Sequence, residues 1–465
     1  MTTGLWTLRD AARALRGRVV GDDGVAPVTL DLDSRTLQPG GCFVALHAER
    51  DGHDFAVQAA ESGAVALMVD HQLDIRIPQL IVRDTLQALQ EWGRLRLEQV
   101  RPRQVFGITG SVGKTTTKEL LAAATGAWKT PGNRNNTLGV PQALATLPEG
   151  LDAAVLELGM SFPGEIDTLC RIAPPDFGLI TCIGSAHLEN FPAGEEGIAS
   201  AKGELVADLL PGGTWVHLAA DRWSRWIAEQ GWTEGRRAVR VGEREIYGWS
   251  EVSSMGARGE RFLLRTPEGS AEIELKLRGA HNVRNAALAG ALAALAGHDL
   301  DRIAGGLGSV EPESGRGRLH ALPAGGWLLD ESYNASPDSI LACGATLLEL
   351  EGGEPIAVLG CMRELGPDSP RLHHDAGEGL RKTGLSRLLA YGDQAGELAA
   401  GFGPGARAFP DFESLRDDPS GLSSIPPGAR ILVKGSRHWR AERVVEWILD
   451  YASTRNTSHD QDTHR

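Results

Sequence analysis

Residues 106–125, FGITGSVGKTTTKELLAAAT, set the reading of the whole chain, because they run from an apolar strand through a glycine turn into the start of a helix. That order builds a phosphate cradle. Gly110 and Gly113 let backbone N–H groups approach phosphate oxygens, and the helix N-terminus adds positive partial charge. Lys114 can neutralise a terminal phosphate, and the Thr115 hydroxyl can hold Mg²⁺. The expected ligand is a nucleoside triphosphate, taken up along Thr109, Gly110, Ser111, Val112, Gly113, Lys114, Thr115 and Thr116. The spacing is not the strict GxxxxGK[ST] pattern, since Ile108 stands where the first glycine belongs; the run is the shorter TGxxGKTT variant. A turn without a ligand has no use for Gly, Lys and two Thr in this order.

Working outward, strand candidates alternate with helical stretches on both sides of the loop. Upstream, VTLDLDS, CFVALH, ALMVD and QLIVRD surround the helical DFAVQAAESGA, which predicts a small α/β domain over residues 1–83. A helical run, TLQALQEWGRLRLEQV, leads into the glycine loop. AAVLELG and FGLITCIG then continue an alternation that predicts a central domain, 84–312, with a mostly parallel sheet and the nucleotide at the carboxyl ends of its strands. EPESGRGRLH, 311–320, reads as a linker. Beyond it, WLLDESY, PIAVLG, RLLAYG and ARILVKGS predict a third, Rossmann-like α/β domain over 313–453. The polar STRNTSHDQDTHR suggests a disordered tail over 454–465.

Composition bounds the function. A chain of 465 residues accommodates three domains at ~150 residues each. Its net charge of −14 argues against a nucleic-acid groove, so a site for an anionic substrate must concentrate its cations locally. The five cysteines, at 42, 170, 182, 343 and 361, form no CxxC pair and no zinc spacing, which fits burial in a reducing compartment. The N-terminus lacks a charged region followed by an apolar one, and no run reaches the ~18 apolar residues of a membrane span. A cytoplasmic location is expected.

Several residues beyond the loop carry two readings. Glu157 ends an apolar strand, where a carboxylate serves either as a Mg²⁺ ligand or as a solvated strand end. His187 follows another buried strand and is either a metal or phosphate contact or a satisfied polar group. Lys202 lies on a helix among small residues. As a bare ammonium near Mg²⁺ it would be repelled by roughly 4 kcal/mol per unit charge at 4 Å and dielectric 20, whereas carbamylation by CO₂ reverses the sign; the residue alone reads more simply as a surface lysine. Asn282 and Asn285, in the first turn of an Ala-rich helix, suit an adenine edge or a helix cap. Asp330, Tyr333 and Asn334 end a strand before a helix capped by Ser336, with Pro337 at its first position. Lys434 and Arg437, beside a glycine, suit an anion or a substrate carboxylate, or form a solvated charge pair.

Taken in order, DSRTLQPGGCFVAL, DGHDFAVQAAESGA, TGSVGKTTTKE, TPGNRNNTLGVPQAL, ELGMSFPGEI, GSAHLENF, AKGE, DESYNASPDS, VLGCMRELG and VKGSR resemble the Mur ligase family along nearly the whole chain. The likeness is greatest to the member that adds the terminal dipeptide of the peptidoglycan precursor. It implies one domain for a UDP-sugar, one for ATP and one that closes over them. Ser34 and Arg35 match the UDP-facing loop, and Asn133, Asn135, Asn136 and Thr137 match the loop that meets the substrate. Lys114 to Thr116 take the phosphates, while Thr115, Glu157 and His187 match the Mg²⁺ set. Lys202 matches a lysine carbamylated in several members. Asn282 and Asn285 fall on the adenine side, and Arg318, Asp330 and Asn334 match residues that reach the nucleotide on closure. Cys182, Cys361 and Ser336 depart from the usual Asn, Asp and Asn.

The activity implied is ATP-dependent ligation of D-alanyl-D-alanine to UDP-N-acetylmuramoyl-tripeptide through an acyl phosphate, with Mg²⁺, by a monomer. Lys114, Glu157, His187 and Lys202 are the expected catalytic set. The sibling that adds the third amino acid carries a DNPR loop, which is absent here. A small-molecule kinase and a non-catalytic nucleotide binder are the rivals from other classes.

Overall fold

The structure, a computed structural model, describes residues 6–462, with side chains as far as residue 453. Four sheets organise it. The first takes β1 (Arg18–Val20), β2 (Leu30–Asp31), β3 (Cys42–Val44), β4 (Ala66–Val69) and β5 (Gln79–Ile81) in the order β1-β5-β4-β3-β2. Only β1, which the hydrophobic pattern did not reveal, pairs antiparallel. The helix Thr85–Val100 follows directly. The Asp84 side chain caps it by accepting from the Gln87 N–H, and Arg101 ends it in a left-handed conformation.

The second sheet contains β6 (Gln104–Thr109), β7 (Trp128–Lys129), β8 (Ala153–Glu157), β9 (Phe177–Ile180), β10 (Thr214–Leu218) and β11 (Arg237–Val241). All are parallel, in the order β11-β10-β9-β6-β8-β7. β6 therefore lies between β8 on one side and β9 on the other. This reversal of winding opens a crevice at the carboxyl edge, which receives the loops after all three strands. Val155, Leu156, Leu179 and Ile180 are fully buried between helices on both faces, so these strands read as continuous apolar runs. One covering helix, Ala280–Leu295, is rich in alanine because it packs closely on the helix Lys114–Thr125 and on the sheet.

β12 (Gly248–Ser254), β13 (Glu260–Thr266) and β14 (Gly269–Leu275) form a separate antiparallel meander, which corrects the expectation of unbroken strand–helix alternation to residue 312. Its signal is period-two burial: β13 alternates buried and half-buried along its length. The fourth sheet, six-stranded, takes β15 (Arg318–Ala321), β16 (Trp327–Glu331), β17 (Pro355–Gly360), β18 (Arg387–Tyr391), β19 (Ala406–Phe409) and β20 (Arg430–Lys434) in the order β15-β16-β20-β17-β18-β19. β15 is antiparallel to β16, and the rest are parallel. β15 thus occupies the end of the segment read as a linker. The backbone of the polar tail continues the helix Glu442–Asp462, and residues 463–465 lie outside those described.

Candidate active site

The glycine loop closes on the crevice as its composition requires. Gly110 has φ 149° and Gly113 φ 85°, and Gly113 caps the helix Lys114–Thr125, whose first N–H groups point into the loop. The loop is braced from β9: the Thr181 hydroxyl donates to the Val112 carbonyl at 2.5 Å, and Ser111 N–H donates to the Cys182 carbonyl at 2.8 Å. Lys114 Nζ folds back to donate to the Gly110 carbonyl at 2.7 Å. Burial lowers its pKa, and the nearby Glu157 carboxylate opposes that shift.

Glu157, at the end of β8, is 2% exposed. Its Oε1 accepts from the Thr115 hydroxyl at 3.1 Å and from Asn135 Nδ2 at 2.8 Å. Oε2 is buried with no hydrogen-bond donor, 3.6 Å from Lys118 Nζ. A buried carboxylate oxygen left unsatisfied beside a threonine hydroxyl at a phosphate loop is the donor set a divalent cation completes, so these residues fit Mg²⁺. Lys202 is 1% exposed and makes no described hydrogen bond or ion pair. Burial, and then the Lys114 ammonium, push its pKa well below that of a free lysine.

The loops around the fourth sheet supply the opposite wall of a cleft of about 1450 Å³. Tyr333 OH accepts from Asn133 Nδ2 at 3.0 Å across the cleft, and the Arg316 guanidinium lies 3.8 Å from the Tyr333 ring centre. Lys434, 4% exposed, sits 3.6 Å from Glu331, and Arg437 is 3.2 Å from Glu442. His187 Nδ1 meets the Glu364 carboxylate at 2.5 Å, and this contact lowers the Glu364 pKa against the opposing effect of burial. Both residues have left-handed backbones, φ 67° and 63°.

Most expected residues therefore share this cleft: Ser111 to Thr116, Asn133, Asn135, Asn136, Glu157, His187, Asn282, Asn285, Asn334, Lys434 and Arg437 line it. Asn285 packs on the glycine loop, its Oδ1 2.9 Å from where a Gly113 Cβ would stand, and Asn282 Nδ2 donates to the Arg278 carbonyl. Asn136 Oδ1 accepts from Gly139 N–H, and the Thr137 carbonyl accepts from Gln90. Ser34 and Arg35 lie on the first domain, where Ser34 donates to Gln58 at 2.7 Å and Arg35 pairs with Asp33.

Two readings change. Asp330 is occupied by protein donors, Gly315 N–H at 2.8 Å and the Ser332 N–H and hydroxyl at 3.1 and 2.6 Å, so it pins the loop that carries Arg316. Arg318, exposed on β15, does not line the cleft; Arg316, two residues earlier, does. Lys118 and Glu364 were not singled out. Lys118 had a signal, since it follows Lys114 by one helical turn. Glu364 had none.

Two family models match the chain: the Mur ligase middle domain over residues 108–293, and the Mur ligase glutamate ligase domain over 317–437. The chain is 36% identical to the UDP-N-acetylmuramoyl-tripeptide–D-alanyl-D-alanine ligase of Escherichia coli (strain K12), over 96% of this chain and 98% of that one. It is 32% identical to the Bacillus subtilis (strain 168) enzyme of the same name, over 90% and 92%. Among solved structures, MurF from Acinetobacter baumannii superposes with a TM-score of 0.87 at 32% identity, covering 97% of this chain and 100% of that one. MurF ligase from Thermotoga maritima in complex with ADP gives 0.79 at 27% identity, covering 92% and 98%.

Proposed function

The chain belongs to the Mur ligase family, and we propose that its cleft performs the reaction for which its relatives are named, joining D-alanyl-D-alanine to UDP-N-acetylmuramoyl-tripeptide at the expense of ATP. The products are UDP-N-acetylmuramoyl-pentapeptide, ADP and phosphate, a step of peptidoglycan precursor synthesis placed in the cytoplasm. No helix among the described residues is long and apolar enough to cross a membrane. The observation that carries this reading is the glycine loop facing, across one cleft, a second set of cations on another domain.

Amide formation from a carboxylate and an amine in water runs uphill, so the carboxylate must first become an acylating agent. Its terminal oxygen attacks the γ-phosphorus of ATP, the bond to the β-phosphate oxygen breaks, and ADP leaves an acyl phosphate. Lys114 Nζ exchanges the Gly110 carbonyl for phosphate oxygens, and the N–H groups at the start of Lys114–Thr125 point at the same oxygens. Thr115, Glu157 and His187, with Lys202 as its carbamate, would hold Mg²⁺, which supplies charge neutralisation for the phosphates. The amine of D-alanyl-D-alanine then adds to the acyl carbon, and the tetrahedral adduct expels phosphate. Lys434 and Arg437 suit the negative charge of the dipeptide or the departing phosphate. Asn282 and Asn285 take the nucleotide from the loop side. Asn334 reaches it from the third domain, beside the loop of Arg316 that Asp330 pins. Ser34 and Arg35 face the UDP group, and Asn133, Asn135, Asn136 and Thr137 face the peptide. Closure of the third domain excludes water from the acyl phosphate.

Burial without a counter-ion favours a neutral Lys202 amine, the form that adds CO₂ to give a carbamate and release a proton. The deciding experiment is mass spectrometry of products from ATP, Mg²⁺, D-alanyl-D-alanine and the UDP-tripeptide, offered with lysine or with diaminopimelate at its third position. Pentapeptide and ADP are expected together; a phosphorylated tripeptide that persists with the dipeptide present would mark a kinase. Lys114→Ala should abolish turnover while leaving UDP-tripeptide affinity intact, and parallel loss of both would refute its assigned role.

A further inference from the structure

The first domain holds a cluster of imidazoles and carboxylates that the ligation chemistry does not use. His47, Asp51 and His53 come from one tight loop, and Asp70 and His71 from the end of β4. The ligand atoms of His47, Asp51 and His53 all lie within 4.8 Å of one another. His47 Nδ1 is 3.4 Å from Asp51 Oδ2, and His53 Nδ1 is 2.6 Å from Asp51 Oδ1. Donors bonded to one metal at ~2.0–2.2 Å stand roughly 3–4 Å apart, so the His47–Asp51 pair already has that spacing, and the hydrogen-bonded His53–Asp51 pair opens by less than about 1 Å.

The other face of each ring supplies an independent observation. Asp70 stands behind both imidazoles: its Oδ2 lies 2.6 Å from His47 Nε2, while at His53 Nε2 its backbone N–H donates at 3.3 Å and its Oδ1 lies 3.2 Å away. A carboxylate on the far nitrogen is the arrangement that fixes the tautomer and raises the basicity of a metal-bound histidine. The loop is also preorganised. Gly52 N–H donates to the Leu46 carbonyl at 2.8 Å, and a Cβ on Gly52 would stand 2.6 Å from Leu46 N. His53 is buried, whereas His47 and Asp51 open to solvent.

We propose that His47, Asp51 and His53 form a binding site for one divalent transition-metal ion of the Zn²⁺, Co²⁺ or Ni²⁺ class, with Asp70 as the carboxylate supporting both histidines. Mixed imidazole and carboxylate donors select this class over Mg²⁺ and Ca²⁺, which take oxygen. His47 Nδ1 and His53 Nδ1 are then metal-bound with each neutral ring's proton on Nε2; the His53 proton that now lies between Nδ1 and Asp51 moves to Nε2, where Asp70 Oδ1 accepts it in place of the backbone N–H contact. The solvent side leaves an open position for water or an anionic oxygen. The same turn runs into the helix Ala56–Glu61, whose Gln58 accepts from Ser34, so the ion would stiffen the support of that loop.

The test is titration of the full-length protein with Co²⁺ in excess Mg²⁺, read by visible absorption and calorimetry. One Co²⁺ per chain is expected. His47→Ala and Asp51→Asn should each weaken it by about 100-fold, and Asp70→Asn by about 10–100-fold. His71→Ala should leave it unchanged, and His47→Ala should retain the wild-type circular dichroism and Mg²⁺-supported ligation. Absence of a Co²⁺ site in the wild-type chain, equal affinity in wild type, His47→Ala and Asp51→Asn, or loss in His71→Ala alone, would overturn the assignment.

Discussion

Gly110→Ala tests whether the glycine loop works through backbone geometry. A Cβ on Gly110 would stand 1.9 Å from Thr181 Oγ1, 3.1 Å from Thr181 Cβ and 3.2 Å from Thr181 N. Real contacts of this kind stay beyond 3.0 Å, so loop and strand must separate by about 1 Å. Rotating the Thr181 hydroxyl away removes the closest overlap but breaks its bond to the Val112 carbonyl, which braces the loop. The φ of 149° adds about 1–3 kcal/mol of backbone strain for alanine. A displacement of about 1 Å at a phosphate-positioning loop costs on the order of 100-fold in rate, or about 2.7 kcal/mol. Steady-state kinetics with ATP varied should show that loss in kcat/KM, with UDP-tripeptide affinity unchanged by calorimetry. Thr181→Ala alone should cost far less, and the double variant should recover part of the loss. Wild-type kcat/KM for ATP in Gly110→Ala would refute the reasoning.

Lys202→Met should lower kcat by about 100-fold or more while leaving the thermal midpoint unchanged or higher, because it removes a buried amine with no partner among the described residues. In the wild type, ¹³C-bicarbonate should give a carbamate resonance that is absent from Lys202→Met; the same resonance in both would exclude this lysine. Glu364→Gln should lower kcat by about 10–100-fold with nucleotide affinity retained, and raise the Mg²⁺ concentration for half-maximal rate; an unchanged Mg²⁺ dependence would remove Glu364 from the site. At the junction with the third domain, burial and then the Glu260 carboxylate raise Glu349 to about 7. Its folded pKa exceeds the unfolded one, so the folded state holds the extra proton between about pH 4.5 and 7, and stability falls as pH rises through that window. Glu349→Gln should flatten the fall in thermal midpoint between pH 5 and 8, and an identical pH profile would refute the linkage.

The parts of the site legible in sequence are those where local chemistry leaves little choice. A glycine loop between an apolar strand and a helix announces itself, and Glu157 and His187 stand out because each follows a buried strand at the edge where parallel sheets bind ligands. The helix Thr85–Val100 matches its hydrophobic run because Asp84 caps it and nothing in its packing overrides that signal. The local partners of Asp330 are not legible, because a carboxylate ending a strand can satisfy itself in the neighbouring turn, and here Gly315 and Ser332 supply the donors. Arg316 falls in the turn before β15 and Arg318 on the strand itself, and a glycine-rich stretch gives no periodicity to place that boundary. The meander of β12, β13 and β14 was missed because its alternation lies inside a region whose flanks read as parallel α/β.

Glu364 shows what no local pattern can carry. It meets His187 from another domain, and the contact is supported by Glu189 N–H donating to the Glu364 carbonyl at 3.3 Å. Both residues hold left-handed conformations that cost non-glycine residues about 1–2 kcal/mol each. Strain on both faces of one contact persists only where the surrounding structure enforces it, and at this contact the enforcing structure comes from two domains. Glu364 takes Nδ1 of His187, so the nitrogen left for a metal is Nε2. The carboxylate on the far nitrogen would then fix the ring for that role, so a metal ligand and an interdomain contact need not compete for one histidine. Because the supporting carboxylate belongs to the third domain, the histidine is oriented only when that domain lies against the nucleotide loop. In the proposed reaction this arrangement would tie phosphoryl transfer to the closure that excludes water from the acyl phosphate.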